Sequence, residues 1–349
     1  MGLVERVSRA IALGTTSLDP DDVAFEANRL LAAESPWHGR EEVQGVVHRV
    51  TGLGPVQDLF EDPDVTDVLV NGPDEIWVDR GSDLERVERH FGSDEDIVAT
   101  VERVIAPLGL RIDRASPMVD ARLADGSRLH AVLPPAAVDA PLVAIRRFTQ
   151  RVADLDDLVT TGTATSDQVD RMTHAVESRQ TIVISGGTGA GKTTLLNLLA
   201  GKIDQRERVV TVEDAAELDL PGHIVRLEAR PANAEGAGEI TIRTLLRSAL
   251  RLRPDRIVVG EVRGGEALDL ITALNTGHRG SMTTVHANSP EEALWRLETL
   301  ALMAGDASEA AVRRQLRAAV DLVVQIERGP RGRRIDAIAG RDDLEGSGA

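Results

Sequence analysis

The apolar pattern predicts an α/β protein in two parts, a small α+β domain followed by a mostly parallel α/β domain. Three observations carry this. Short strand-like runs between turn signals occupy residues 65–148, helix-length and strand-length segments alternate from residue 167 onward, and a glycine-rich loop joins one of those strands to a helix. With 349 residues there is chain enough for two cores. The expected boundaries are a helical segment at 1–50, an α+β domain at 51–148, a linker at 149–166 and the α/β domain at 167–349.

In residues 1–50 helical spacing (Val4, Val7, Ile11; Phe25, Leu30, Leu31) is broken at Asp19-Pro20 and Ser35-Pro36, which predicts short helices. Residues 3–13 lack the aromatic or lysine belt of a membrane anchor and are expected to pack within the molecule. Next come the strands Asp67–Val70 and Glu75–Val78 around an Asn71-Gly72-Pro73-Asp74 turn, then a helix opened by Ser93 with Ile97, Val101, Val104 and Ile105 on its apolar face. A second hairpin turns at Asp125-Gly126, and a last strand, Leu142 to Phe148, carries Arg146 and Arg147. Polar, threonine-rich residues 149–166 read as linker. The α/β part begins with a helix at 167–179 and the strand Thr181–Ser185, and continues with a helix at Lys192–Ala200. Further strands are expected at 208–212, 224–227, 257–259 and 282–285, closed by a hairpin of Leu322–Glu327 and Arg333–Ile338 around Gly329-Pro330-Arg331-Gly332.

Composition removes whole classes of chemistry. Without cysteine there are no disulfides, thiolate metal sites or thiol nucleophiles, so reactions must use oxygen and nitrogen groups. A net charge of −17 opposes a general electrostatic hold on phosphate backbones, and no stable nucleic-acid binding is expected. The charge is uneven, with 14 acidic residues against 3 arginines in residues 51–100. Of 40 basic residues only Lys192 and Lys202 are lysine. No run approaches the roughly 18–20 apolar residues of a membrane span, and the Met1–Arg6 stretch has no signal-peptide core, so a cytoplasmic protein is expected.

Gly186-Gly187-Thr188-Gly189-Ala190-Gly191-Lys192-Thr193 fits the phosphate-loop pattern, with Thr194 following in the same helical turn. Glycines let successive N–H groups turn inward around a phosphate, and the helix N-terminus adds its dipole. Lys192 is expected between β- and γ-phosphates, where a compact ammonium fits and a planar guanidinium does not, and Thr193 on Mg²⁺. The cofactors implied are ATP and Mg²⁺. The strand at 257–259 ends in Gly260-Glu261, so glycine stands where common nucleoside triphosphatases place a magnesium-side aspartate. The metal candidates are Thr193, Glu213, Asp214 and Glu261. Glu213 and Glu261 are both candidates for the carboxylate that positions the attacking water. His278 and His286 bracket a strand whose far end should reach the nucleotide, and His286 is placed to sense the γ-phosphate or to link subunits.

The phosphate loop, Thr211–Leu218, Leu250–Arg263 and Asn275–Ser289, in that order, resemble the secretion ATPases of type II and type IV systems. Ser116–Val132 and Ile145–Phe148 draw the resemblance toward the tight-adherence (Flp) pilus branch, and the missing cysteines exclude the zinc insert of many pilus-extension motors. The resemblance implies a RecA-like P-loop ATPase domain preceded by a PAS-like domain. It further implies a homo-hexamer that hydrolyses ATP to drive inner-membrane platform proteins from the cytoplasmic face. Glu213 and Asp214 fall in its aspartate box, Glu261 in its second Walker motif, and His278 and His286 in its histidine box. Arg128, Arg146 and Arg147 best match the amino-terminal arginines that close on phosphates, often of a neighbouring subunit. The alternatives are a DNA-transfer or effector-secretion motor and an ATP-binding switch with little turnover.

Overall fold

The computed structural model describes residues 2–12, 14, 19–35, 37–81, 84–123, 125–147, 154–232, 237–305, 307–329 and 332–346. Pro36, Phe148, linker residues 149–153 and the turn residues Pro330 and Arg331 lie outside these. The chain divides into two compact units, Met1–Thr149 and Gln150–Ala349.

The first unit opens with three helices, α1 (Leu3–Ala12), α2 (Pro20–Glu34) and α3 (Arg40–Thr51), which bury Val7, Ile11, Leu31 and Val46 among themselves. Intramolecular packing therefore takes the apolar face of residues 3–13. Asp19 caps α2 by accepting from the Asp21 amide, with Pro20 at the first helical position. After α4 (Gln57–Glu61) come β1 (Asp67–Asn71), β2 (Ile76–Asp79), β3 (Leu84–Val87), α5 (Asp94–Ile105), β4 (Met118–Arg122), β5 (Arg128–Val132) and β6 (Leu142–Arg146). The strands form one antiparallel sheet in the order β3-β2-β1-β6-β5-β4. Strand β3 escapes the sequence pattern because it is a solvent-facing edge, reading Leu-Glu-Arg-Val without alternation. Register aligns Asp67, Arg146, Arg128 and Arg122 in one row across the sheet.

The second unit runs α6 (Leu155–Thr160), α7 (Ser166–Glu177), β7 (Ile182–Gly186), α8 (Lys192–Ala200), β8 (Arg208–Glu213), β9 (His223–Glu228), α9 (Ile242–Ala249), β10 (Arg256–Val259), α10 (Glu266–Asn275) and β11 (Met282–His286). It closes with α11 (Pro290–Leu302), α12 (Glu309–Ala319), β12 (Leu322–Gly329), β13 (Gly332–Gly340) and α13 (Arg341–Gly346). The strand order is β13-β12-β7-β11-β10-β8-β9, parallel except for β13. Both faces are covered, which is why β7 and β10 are buried along their whole length and read as near-continuous apolar runs. Ile182 and Ile184 point into the core under α7 and α8, while Val183 between them joins the core under α10, α11 and α12.

One local feature departs from expectation. The stretch taken as linker contains α6, and Leu155, Leu158 and Ala164 are buried in the core of the second unit. Its threonines serve as helix punctuation, since Thr165 and Gln168 cap α7 reciprocally through each other's backbone amides. Arg256, at the start of β10, is only 2 % exposed. Its guanidinium donates to both Glu207 carboxylate oxygens at 2.9 and 2.8 Å and to the Val176 carbonyl at 2.7 Å, which compensates its burial.

Candidate functional site

Strands β7, β11, β10 and β8 are parallel and in register, so Gly186, His286, the Gly260-Glu261 pair and Glu213 gather at one edge of the sheet. This is the carboxyl edge, where open α/β sheets bind ligands. Gly189 (φ +69°) and Gly191 (φ +99°) take left-handed backbone that other residues rarely adopt. Gly186 is required for a different reason, because a Cβ there would collide with the Ile326 carbonyl oxygen of neighbouring β12. Gly187, Thr188 and Gly189 are exposed, Ala190 is buried beneath them, and Thr193 and Thr194 sit in the first turn of α8, half-buried and exposed respectively.

Lys192 is buried. Its Nζ donates to the Gly186 carbonyl at 3.1 Å and the Gly187 carbonyl at 2.9 Å, and lies 3.2 Å from His286 Nδ1. An ammonium can only donate, so His286 Nδ1 accepts and the ring proton belongs on Nε2, which lies 2.7 Å from Glu261 Oε1 without hydrogen-bond alignment; that buried oxygen has no hydrogen-bond partner among the described residues. Glu261 Oε2 in turn accepts from Arg263 Nε at 2.8 Å, and Arg263 Nη1 stands 3.5 Å from Asp214 Oδ2. Lys192, His286, Glu261, Arg263 and Asp214 thus form one chain of contacts along the strand ends. Burial draws the Lys192 ammonium below the usual lysine range, against the pull of Glu261. Burial, followed by the Lys192 charge, holds His286 below the usual imidazole range, so it is neutral at pH 7.

Glu213 ends β8 at 2 % exposure. Its Oε1 accepts from the Glu217 and Leu218 amides at 2.9 Å each, while Oε2 is buried with no hydrogen-bond partner among the described residues. Burial pushes its carboxyl above the usual range. A Cβ on Gly260 would lie 3.1 Å from Glu213 Cγ. This explains the glycine where an aspartate is usual: the space beside β10 is filled by a carboxylate from β8. An orphaned buried carboxylate oxygen suits a magnesium ion or its water shell, with Thr193 and Glu261 as the other oxygen donors. No group of three acidic or histidine side chains converges on one point among the described residues, so any such ion must take most of its ligands from phosphate oxygens and water.

The remaining candidates fall elsewhere. His278 lies before the start of β11, at the opposite sheet edge, where its Nδ1 donates to the Ala273 carbonyl at 3.1 Å. In the first unit Arg146 Nε donates to Asp67 Oδ1 at 2.8 Å, Arg147 Nη1 donates to the Asp62 carbonyl at 2.6 Å, and half-buried Arg128 sits between Arg146 and Arg122 in the arginine row. Sequence reasoning missed Arg263 as a site residue, although its position two residues after Glu261 puts it on the same strand exit. It also missed Arg328 and Arg333 of the β12–β13 hairpin. Arg333 Nε donates to the Gly189 carbonyl at 3.3 Å, a contact made across 144 residues of chain that no local pattern reveals.

A family model described as "Type II/IV secretion system protein" matches residues 49–331. The chain belongs to that family. Among relatives of this secretion family, a Mycobacterium tuberculosis (H37Rv) protein named as a candidate conjugal transfer protein is 44% identical over 292 residues, 82% of this chain and 83% of its own. The conjugal transfer protein TrbB of Rhizobium radiobacter is 36% identical over 79% of this chain and 83% of its own. The type IV secretion system protein VirB11 of Brucella suis biovar 1 is 32% identical over 79% and 85%. Solved structures of the Legionella pneumophila ATPase DotB (TM-score 0.55, 20% identity, 78% of this chain and 74% of that one) and of the pilus retraction motor PilT with ADP (TM-score 0.55, 19%, 84% and 86%) share the secretion-ATPase fold. The RecA-like domain and the family resemblance are therefore as expected from the sequence. The finer expectation differs: these sequence relatives carry conjugal transfer and type IV secretion names, not that of a tight-adherence pilus motor.

Proposed function

We propose that this chain is an ATP-hydrolysing motor of a type IV secretion or DNA-transfer machine, working as a homo-hexamer at the cytoplasmic face of the membrane with inner-membrane partners. The observation that carries the hydrolytic part is the continuous chain from Lys192 through His286 to Glu261, set beside the phosphate loop and flanked by buried Glu213. In this reading Lys192 exchanges its loop carbonyls for phosphate oxygens, and the loop amides and the α8 N-terminus hold the β-phosphate. Mg²⁺ would neutralise charge developing on the phosphoryl group, held through Thr193 and water on Glu213, Asp214 and Glu261. Glu261 and Glu213 are the groups that orient or deprotonate the attacking water, and His286 ties the first of them to Lys192. Arg128, Arg146 and Arg147 are assigned to phosphate contact on the strength of the family resemblance, reaching a neighbouring subunit.

The transport assignment rests on the names of the relatives. The tight-adherence pilus reading keeps one specific support, the 116–132 and 145–148 segments. A pure switch would have no use for two acidic strand ends beside the loop. Phosphate release by the purified protein with Mg²⁺ tests the chemistry. Lys192→Ala should lower it at least about a hundredfold, as for loss of a main transition-state contact, and an unchanged rate would sink the reading. Deleting the gene should abolish conjugal or effector transfer while leaving pili on the cells; the opposite pattern would favour the pilus motor.

A further inference from the structure

The β12–β13 hairpin brings two arginines to the phosphate loop from the side away from the acidic strand ends. Arg333 donates to the Gly189 carbonyl, and its Cδ lies 3.1 Å from the place a Cβ on Gly191 would take. Arg328 Nη1 is 3.6 Å from the equivalent place on Gly189. The two residues are direct cross-strand partners. The next pair along, Glu327 and Arg334, is opposite in sign and joined at 3.2 Å. Both arginines are exposed. Two guanidinium groups held within reach of a glycine-rich loop suit an anion bound there.

Strand order says which part of the anion. Strand β7, which ends in the loop, has β12 on one side and β11, β10 and β8 on the other. His286, Glu261 and Glu213 stand on that second side, so the phosphoryl group to be transferred points there. The loop amides take the middle of the triphosphate. The phosphate that carries the nucleoside is then left on the β12 side, against the hairpin.

We propose that Arg328 and Arg333 bind the α-phosphate of the nucleotide, in the same subunit as the loop. This rests on the nucleotide reading of the loop. It makes the hairpin a part of the site that grips ATP and ADP alike, with no hold on the γ-phosphate.

The test is calorimetric binding of Mg-ATP, ADP and α-thio-substituted ADP to the full chain as wild type, Arg328→Ala, Arg333→Ala, Arg333→Lys and the double alanine variant. Each alanine change should weaken ATP and ADP by the same factor, about tenfold, the size of one charge-assisted hydrogen bond, and Arg333→Lys should recover part of the loss. The wild type should discriminate between ADP and its α-thio analogue, and the double variant should not. Retained discrimination in the double variant, or a loss seen with ATP but not ADP, would overturn the proposal; the first outcome also identifies a purely structural role for Arg333 on the loop. Failure of the nucleotide reading shows separately, as a wild type that binds neither nucleotide or a Lys192→Ala variant that binds both at full strength.

Discussion

His286 accepts from Lys192 at one ring nitrogen and sets the other against Glu261, and the first contact works only while the ring is neutral. Its pKa in the folded chain lies below the ordinary imidazole value because of burial and the adjacent Lys192 charge. Unfolded chains therefore take up a proton here before folded ones do as the pH falls. The contribution to stability is complete above about pH 6.5 and is lost as the pH drops through the folded-state value. His286→Gln should consequently show a smaller fall in melting temperature between pH 7.5 and 5.5 than the wild type. Equal slopes would remove the burial account of this residue. The residue scale was largely legible in the sequence: the loop glycines, Lys192, Glu213, Glu261 and His286 announce themselves by type and position. What could not be read was partnership. That Lys192 rests on His286, or that Arg263 joins Glu261 to Asp214, depends on strand register across 94 and 49 residues of chain, which local spacing does not encode.

At the scale of elements, the β8 and β10 ends act as one unit. Glu213 reaches into the space that Gly260 leaves open, with 3.1 Å between its Cγ and an imagined Cβ. Restoring the usual aspartate by Gly260→Asp should fail as an improvement, since it brings a second carboxylate against a buried one. We expect a loss of about 3 kcal/mol in urea denaturation, in the range for an unpaired buried charge with overpacking. Paired with Glu213→Ala, the two costs should sum to less than additivity requires, with a coupling of at least about 0.5 kcal/mol. Strict additivity would show that the two strand ends do not share the space. Elements buried on both faces, β7 and β10 above all, were read from their apolar runs. The edge strand β3 and the helix α6 were not, because one presents its side chains to water and the other is too short to show a period.

At the scale of the whole molecule, the candidate residues are spread over both units. The second holds the loop, both acidic strand ends and the histidine; the first holds the arginine row of Arg122, Arg128 and Arg146. If subunits share sites as the family resemblance implies, a protein defective in the loop and one defective in the row should complement each other. Mixing Lys192→Ala with Arg146→Ala should restore part of the ATP hydrolysis that each lacks, with a maximum at intermediate ratios. No recovery at any ratio would place Arg146 outside a shared site. The first unit ends within one residue of the expected 148, while the second begins earlier than expected, since polar composition at 154–165 looks like a spacer even though Leu155, Leu158 and Ala164 are anchored in a core.

The scarcity of lysine has a practical consequence. The chain offers two side-chain amines, and they stand in opposite circumstances: Lys202 is at the surface beside Asp154, while Lys192 is buried in the loop with its ammonium made more acidic by that burial. A mild acylating reagent thus meets a nearly blank protein, in which the mass of the intact chain counts modifications one by one. The second of the two side-chain labels becomes a direct readout of whether the phosphate pocket is filled, with no fluorophore, radiolabel or engineered residue added.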